Sequence, residues 1–431
     1  MYGADFHADP IAVFRRLRAQ GPVAPVWLAE GVRGYVVLDL ATIYHISRDP
    51  QTWSRDSRRC EQLADGSIPA DSELRPMMGW RNNLLFADGA EHTRLRQAVE
   101  AALSEIDKGA LERQVRAECH RLIDAFSAEG RADLVADYAA VVPLRVVMGL
   151  FGLEPVEVDQ MLPLLHQIWD GTNAAEANSR YEHMLRRLIC RQRVHPGATI
   201  TRFLEEHPAD LSDEELLQHL VLLVGAAGAP TGNLIANALA ALLSDGALRC
   251  DVAGQRTSIL EAVHRVLWQQ CPMQVYPFVY PVRNTTLGGH RIAAGTPVGM
   301  GITAANLGEA DQMGGQMQGN RAHASFGAGL HRCPGEKIAM DITVWAITVL
   351  AERLPDLRLT EHTRLTWRPS LFAAAVEHLP ASFTPSQERS SWTEPTPSPW
   401  PPAPPTNKQP ASTRSGLSFR WRSLVRSLRG R

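Results

Sequence analysis

The chain has 431 residues, of which 45% are hydrophobic and 21% are charged, and its 44 basic and 46 acidic residues leave a formal net charge of −2. A chain of this length can bury a large core, which excludes a small scaffold stapled by disulfides or a metal. The balanced charge gives no reason to expect nucleic acid as a partner.

The first residues lack the basic start and apolar run of a secretory signal, which predicts a cytoplasmic protein. The six cysteines form no Cys-x-x-Cys pair, which argues against a disulfide framework or a zinc ribbon and predicts reduced thiols. These cysteines are Cys60, Cys119, Cys190, Cys250, Cys271 and Cys333.

Helical periodicity dominates the chain from Asp9 to about Phe383, and the clearest strands come late. A strand is predicted over 34–39 and a helix over 41–47. Further helices are predicted over 90–103, 106–128, 133–153, 155–170, 176–195, 212–244, 257–270 and from Pro334 to Arg353. Late strands are predicted over 274–282 and as a hairpin over 285–298.

One segment, between Glu215 and Asp245, carries no charge and is long enough to span a membrane. It is rich in Ala and Gly, contains His219 and Pro230, and lacks aromatic residues at its ends. These features favour a helix buried in a protein core over a membrane span.

The composition changes after Pro385. Residues 386–416 are dense in Pro, Ser and Thr and predict a disordered linker. The terminal segment 417–431 places apolar residues on one helical face and arginines mainly off it, which predicts either a basic amphipathic helix or a solvated arginine-rich tail. A helix of this kind could contact an anionic membrane surface or an acidic protein.

The strongest chemical signal is the string SFGAGLHRCPGEKIAM, which ends in a predicted helix. Cys333 lies at the start of that helix, where unpaired N–H groups and the helix dipole stabilise a thiolate. Gly327 and Gly329 allow tight turns and close approach to a flat ligand, Phe326 can cover the sulfur, and His331 can reach an acidic group. The alternative for Cys333 alone is a buried small hydrophobic residue.

This string resembles the haem-binding loop of the cytochrome P450 family, whose cysteine thiolate is the axial ligand of the iron. The resemblance covers about residues 9–385 and implies a mainly α, α+β fold: one haem-thiolate domain with small β-sheets, followed by a disordered tail. It implies haem b held by Cys333 in a loop that includes Phe326, Gly327, Gly329, His331 and Gly335. The composition, rich in Ala, Arg and Leu, suggests the soluble bacterial class.

The segment 90–103 is similar to the family's helix beside the haem, where a His and an Arg bind the propionates. That similarity implies His92 and Arg96 as cofactor-binding residues. Positions i and i+4 share a helical face, so the two side chains could receive carboxylates together, although a plain surface pair has the same spacing.

The segment 212–244 is similar to the family's central helix, whose signature ends in an acid followed by Thr. The matching run, Ala227-Gly228-Ala229-Pro230-Thr231, implies that Gly228 leaves room for dioxygen and that Thr231 donates a hydrogen bond beside it. Pro230 replaces the acid, cannot shuttle a proton and predicts a kink. The carbonyl that it frees could hold a water instead.

Two more positions depart from the family pattern. The Glu-x-x-Arg motif reads Arg265-Val266-Leu267-Trp268, which predicts apolar packing around Trp268 in place of an ion cluster, with Glu261 and Arg265 as a surface pair. The arginine that normally binds a propionate is replaced by Val279, with Arg283 nearby. Haem binding would then depend on His92, Arg96 and His331.

The resemblance implies a monooxygenase that inserts one oxygen atom from O2 into a small organic substrate, with electrons from a ferredoxin and its reductase or a similar donor. The departures leave an alternative open. In that alternative, the chain is a haem-thiolate protein with altered or lost monooxygenation that acts as a peroxygenase or as a redox- or haem-sensing interaction protein.

Overall fold

The computed structural model describes residues 1–69, 72, 74–169, 173–314 and 317–387, all within one compact unit. The predicted linker and the terminal segment 417–431 lie outside these residues, apart from the first two linker positions. The N–H of Ser386 donates to the carbonyl oxygen of Ser127 at 3.0 Å, so contacts continue just beyond the predicted boundary at Pro385.

Helices account for most of the described chain. They are α1 Ala4–Ala8, α2 Pro10–Arg18, α3 Leu40–Ser47, α4 Glu61–Ala64, α5 Arg75–Met78, α6 Gly89–Ser104, α7 Lys108–Phe126, α8 Val141–Leu150, α9 Pro155–Trp169, α10 Ala174–Val194, α11 Ile200–Glu206, α12 Asp213–Ser244, α13 Gly246–Ala253, α14 Ile259–Gln269, α15 Ile302–Gln312 and α16 Glu336–Arg353.

The strands are short. They are β1 Val23–Ala29, β2 Val32–Val37, β3 Trp53–Ser54, β4 Arg131–Asp133, β5 Val275–Pro281, β6 Thr285–Leu287, β7 His290–Ile292, β8 Val298–Gly301, β9 Arg358–Leu359 and β10 Pro380–Ser382. They form a five-stranded sheet in the order β1-β2-β8-β5-β3, a three-stranded sheet β4-β10-β9, and the hairpin β6-β7.

These elements confirm the predicted mainly α, α+β class, and each predicted helix has a counterpart. Two predictions differ in detail. The 133–153 segment is a turn of π-helix over Val135–Ala139 followed by α8. The final helix begins at Glu336, with Gly335 as its N-cap, two residues later than predicted.

The central helix α12 is the core of the helical layer. Ser212 and Glu215 form a capping box at its start, which satisfies N–H groups that the first turn cannot pair internally. By length and composition α12 could cross a membrane, but it packs against α8, α14 and α16 within the hydrophobic core. This packing supports the predicted core helix.

Helix α12 is assigned continuously through Pro230, and the kink expected there stays a prediction. Proline has no N–H, so the carbonyl of Ala226, four residues earlier, loses its usual helical partner. Ala226 is exposed although it lies in the middle of a core helix. Whether a water takes the place of the missing bond stays a prediction.

Candidate haem-binding site

The cysteine loop folds back on itself just before α16. The Cys333 N–H donates to the carbonyl oxygen of Phe326 at 2.8 Å, which closes the loop. Gly327 and Gly329 adopt φ values of 75° and 62°, a conformation that strongly favours glycine. A Cβ at Gly329 would also lie 2.3 Å from the carbonyl oxygen of Ser47, at the end of α3.

Cys333 is exposed to solvent, although many protein atoms lie around its thiol. Burial raises the pKa of the thiol, while the N–H of Gly335 and the guanidinium of Arg96 act in the opposite direction. A bound metal cation deprotonates a thiol outright. The backbone N–H next to the sulfur then helps to hold the negative charge.

Helix α6 brings both predicted propionate residues to this loop. The Arg96 guanidinium donates to the carbonyl oxygen of Arg332 at 2.5 Å and to Glu100 at 2.6 Å. The rings of His92 and His331 lie 4.0 Å apart between centroids. The plain surface pair is therefore wrong for His92, which is 3% exposed.

Three polar atoms of this cluster lack partners. Nε2 of His92, Nδ1 of His331 and Nη1 of Arg55 are buried without a hydrogen bond. Burial lowers the pKa of His331, as do Arg55 and His92, so its imidazole is neutral at pH 7. Buried polar groups are normally satisfied, so these unpaired atoms call for a hydrogen-bonding ligand.

Haem fits this donor set, because it carries two carboxylates for the unpaired side chains and an iron for the thiol. The Cys333 sulfur could bind the iron, and the polar side chains beside the loop could bind the carboxylates. Among the described residues no cluster of His, Cys, Asp and Glu could hold a separate metal ion. Sequence reasoning missed Arg55, which follows a two-residue strand and has no local motif.

The structure places the predicted oxygen-side residues on α12. Thr231 is buried, with 4% of its surface exposed. A Cβ at Gly228 would lie 2.1 Å from Cδ2 of Leu144 in α8, so the absent side chain serves helix packing. This contact explains the glycine without a haem-side role, and its predicted part in making room for dioxygen stays a prediction.

The replaced Glu-x-x-Arg region is buried, as predicted, but it is not purely apolar. Trp268 is 0% exposed, and its indole N–H donates to the carbonyl oxygen of Asn320 at 3.1 Å. Beside it, Nδ1 of His264 lies 3.0 Å from Nε2 of His323. Neutral hydrogen bonds therefore occupy the position where the family has charges.

The predicted surface pair of Glu261 and Arg265 is wrong. Glu261 accepts from Nη1 of Arg321 at 3.2 Å and from the N–H of Gly319 at 3.0 Å. Arg265 pairs with Asp245 at 3.0 Å. The ion pair that ties α14 to the segment before the cysteine loop has therefore moved one helical turn towards the N-terminus of α14.

The fold and the site together define a haem-thiolate protein of the P450 type. No protein-family model matches the chain. Over 409 residues it is 30% identical to the cytochrome P450 monooxygenase PikC of Streptomyces venezuelae, covering 90% of this chain and 94% of the relative. It is 29% identical to the 2-hydroxy-5-methyl-1-naphthoate 7-hydroxylase of Streptomyces carzinostaticus, covering 83% and 90%.

Among solved structures, CYP154A1 of Streptomyces coelicolor A3(2) superimposes with a TM-score of 0.77 at 26% identity, covering 87% of this chain and 98% of that one. The chain belongs to the cytochrome P450 family. It is a haem-containing oxidoreductase of the monooxygenase type, and the family implies an electron donor such as a ferredoxin, an organic substrate and O2. The predicted cytoplasmic location stays a prediction.

Proposed function

We propose that Cys333 is the axial ligand of the haem iron and that His92, Arg96 and His331 hold the propionates. The observation that carries this proposal is the hydrogen bond from Arg96 to the carbonyl of Arg332, the residue before the cysteine. This bond brings one of the predicted anchors, Arg96, next to the predicted ligand, which supports a shared site.

When bound, a haem with a thiolate ligand supplies activation of dioxygen by O–O cleavage. The chain's own residues hold the sulfur and orient the cofactor. The N–H of Gly335 stabilises the thiolate, and the bond from Cys333 N–H to Phe326 fixes the loop. The neutral imidazole of His331 can donate to one carboxylate without adding a buried charge.

The carbonyl-complex spectrum tests the ligand assignment. The reduced wild-type protein with carbon monoxide should show the red-shifted band of a thiolate ligand, and Cys333→Ser should lose it. Cys119→Ser is the matched control, because Cys119 is buried in the helical core, where burial raises the pKa of its thiol to about 12. Retention of the band in Cys333→Ser would disprove the assignment.

We infer that the substrate binds against the middle of α12. Ala226 is exposed there, and nothing lies within 4 Å of a Cβ built at Gly225, so small residues leave space on this stretch. The relatives include a naphthoate hydroxylase and a mycinamicin IV hydroxylase/epoxidase. Their names support an organic substrate of the kind found in bacterial secondary metabolism.

On the oxygen side, we propose that Thr231 donates a hydrogen bond next to dioxygen and that a water on the Ala226 carbonyl replaces the missing acid. Pro230 makes this relay slow. The same residue favours a second candidate function, a peroxide-driven oxygenase, because peroxide arrives already reduced and protonated. Product formation with ferredoxin, ferredoxin reductase and NADPH, compared with hydrogen peroxide alone, separates the two functions.

For residues 417–431 we propose peripheral contact with anionic lipid at the inner membrane face. Each arginine near such a surface contributes roughly 1 kcal/mol, and Arg420, Arg422 and Arg426 meet no acidic residue in this segment. The full chain should co-sediment with anionic vesicles at low salt, whereas a chain ending at Gln387 should not. Equal recovery of both chains would remove the membrane role, and binding to an acidic protein would then be tested separately.

A further inference from the structure

Arg55 is a buried arginine whose charge has no hydrogen-bonded partner on the protein. It is 7% exposed, and Nη1 makes no hydrogen bond. Asp88, a carboxylate whose charge acts on the guanidinium, already accepts from the Arg55 backbone N–H at 3.0 Å and from the Ser54 hydroxyl. A buried guanidinium is costly unless a further anion pairs with it.

The guanidinium belongs to the wall that carries the propionate residues. Arg55, His92, His331 and Val279 line one small cavity of about 30 Å³. Arg55 therefore lines the same cavity as His92 and His331, together with Asp88.

The strand register explains how Arg55 reaches this wall. Strands β3 and β5 are antiparallel, with Trp53 opposite Pro281 and Ser54 opposite Tyr280. Extended by one residue beyond the end of β3, this register puts Arg55 opposite Val279, the position where the family normally has an arginine. Side chains of directly opposite residues start about 5 Å apart, well within the reach of an arginine.

We propose that Arg55 binds a haem propionate in place of the arginine absent at position 279, so that the anchor has moved across the sheet to the neighbouring strand. A guanidinium and a carboxylate form a charge-assisted pair that can be bidentate. Arg283, the other candidate in the sequence, is exposed, and its guanidinium lies 3.4 Å from the hydroxyl of Thr52. Four side chains then anchor the haem: Arg55, His92, Arg96 and His331.

The inference rests on the proposed haem site, and its test reads haem retention instead of the thiolate spectrum. Holoprotein is mixed with excess apomyoglobin, and haem transfer is followed by absorbance. Arg55→Gln should lose haem at least about tenfold faster than wild type, since a hydrogen bond to a charged group is removed. Arg283→Gln is the matched control and should stay within about twofold of wild type.

A transplanted arginine distinguishes ligand binding from a structural role. Arg55→Val should retain haem poorly, and adding Val279→Arg should return the loss rate to within about threefold of wild type. The proposal is overturned if Arg55→Gln matches wild type or if the double variant retains haem no better than Arg55→Val. A normal thiolate band in the haem that Arg55→Gln retains would show that the Cys333 assignment stands separately.

Discussion

Replacing Trp268 with alanine should destabilise the protein strongly. The indole is 0% exposed, lies edge-on to His323 at 5.6 Å between ring centroids, and hydrogen-bonds to the Asn320 carbonyl. Removing a buried Trp side chain costs about 3–5 kcal/mol through lost burial and the cavity left behind. Leaving the Asn320 carbonyl unpaired adds about 1 kcal/mol where water cannot enter.

Trp268→Phe separates the two contributions. Phenylalanine keeps most of the apolar contact and loses the N–H, so it should cost only about 1–2 kcal/mol. Trp27→Ala is the control, because Trp27 is 45% exposed and stacks with Arg33, a contact worth under about 1 kcal/mol.

The assay is urea unfolding of the holoprotein, with helix content and haem absorbance recorded together, since a bound cofactor can decouple the two transitions. The order of stability should be wild type, then Trp268→Phe, then Trp268→Ala. A Trp268→Ala cost below about 1 kcal/mol, or equal costs for the two variants, would refute the packing argument and the alignment of α14 with it.

Three further predictions follow from the site. Pro230→Glu should raise the fraction of consumed NADPH that appears as product, and unchanged or worse coupling with full haem content would contradict the relay argument. The protein should lose stability as the pH falls from about 6.5 towards 4. Burial lowers the pKa of His264 to about 4 and that of His323 to about 3 in the folded protein. The imidazoles of the unfolded chain take up protons near pH 6.5, so acid favours unfolding. His323→Phe should flatten that profile, and an unchanged slope would show that other groups cause it. Arg321→Gln should weaken haem retention more than Arg265→Gln, because Glu261 binds Arg321 and not Arg265; the reverse order would favour the original pairing.

The sequence revealed the parts of the site that lie close together along the chain. Cys333, Gly327, Gly329 and His331 belong to one loop, and the resemblance of that loop to the family's haem-binding loop implied a thiolate ligand. Helical periodicity placed His92 and Arg96 on one face, and the central helix was readable from its uncharged length.

The sequence could not reveal contacts that depend on register or on helix rotation. Arg55 meets the site only because β3 pairs with β5, more than 200 residues away. Glu261 finds Arg321 because α14 turns that face towards the segment before the cysteine loop. Gly228 matched the family motif by position, yet the direction of its missing side chain depends on how α12 packs against α8.

The long span between the two halves of the site affects how the protein matures. Arg96 and the carbonyl of Arg332, which it holds, are 236 residues apart, so no early part of the chain can assemble the pocket alone. Closing so large a loop costs chain entropy before the contacts between its ends can form, which slows folding. Cofactor capture is then a late event, and a cell short of haem should accumulate chains with a finished helical core and an open pocket.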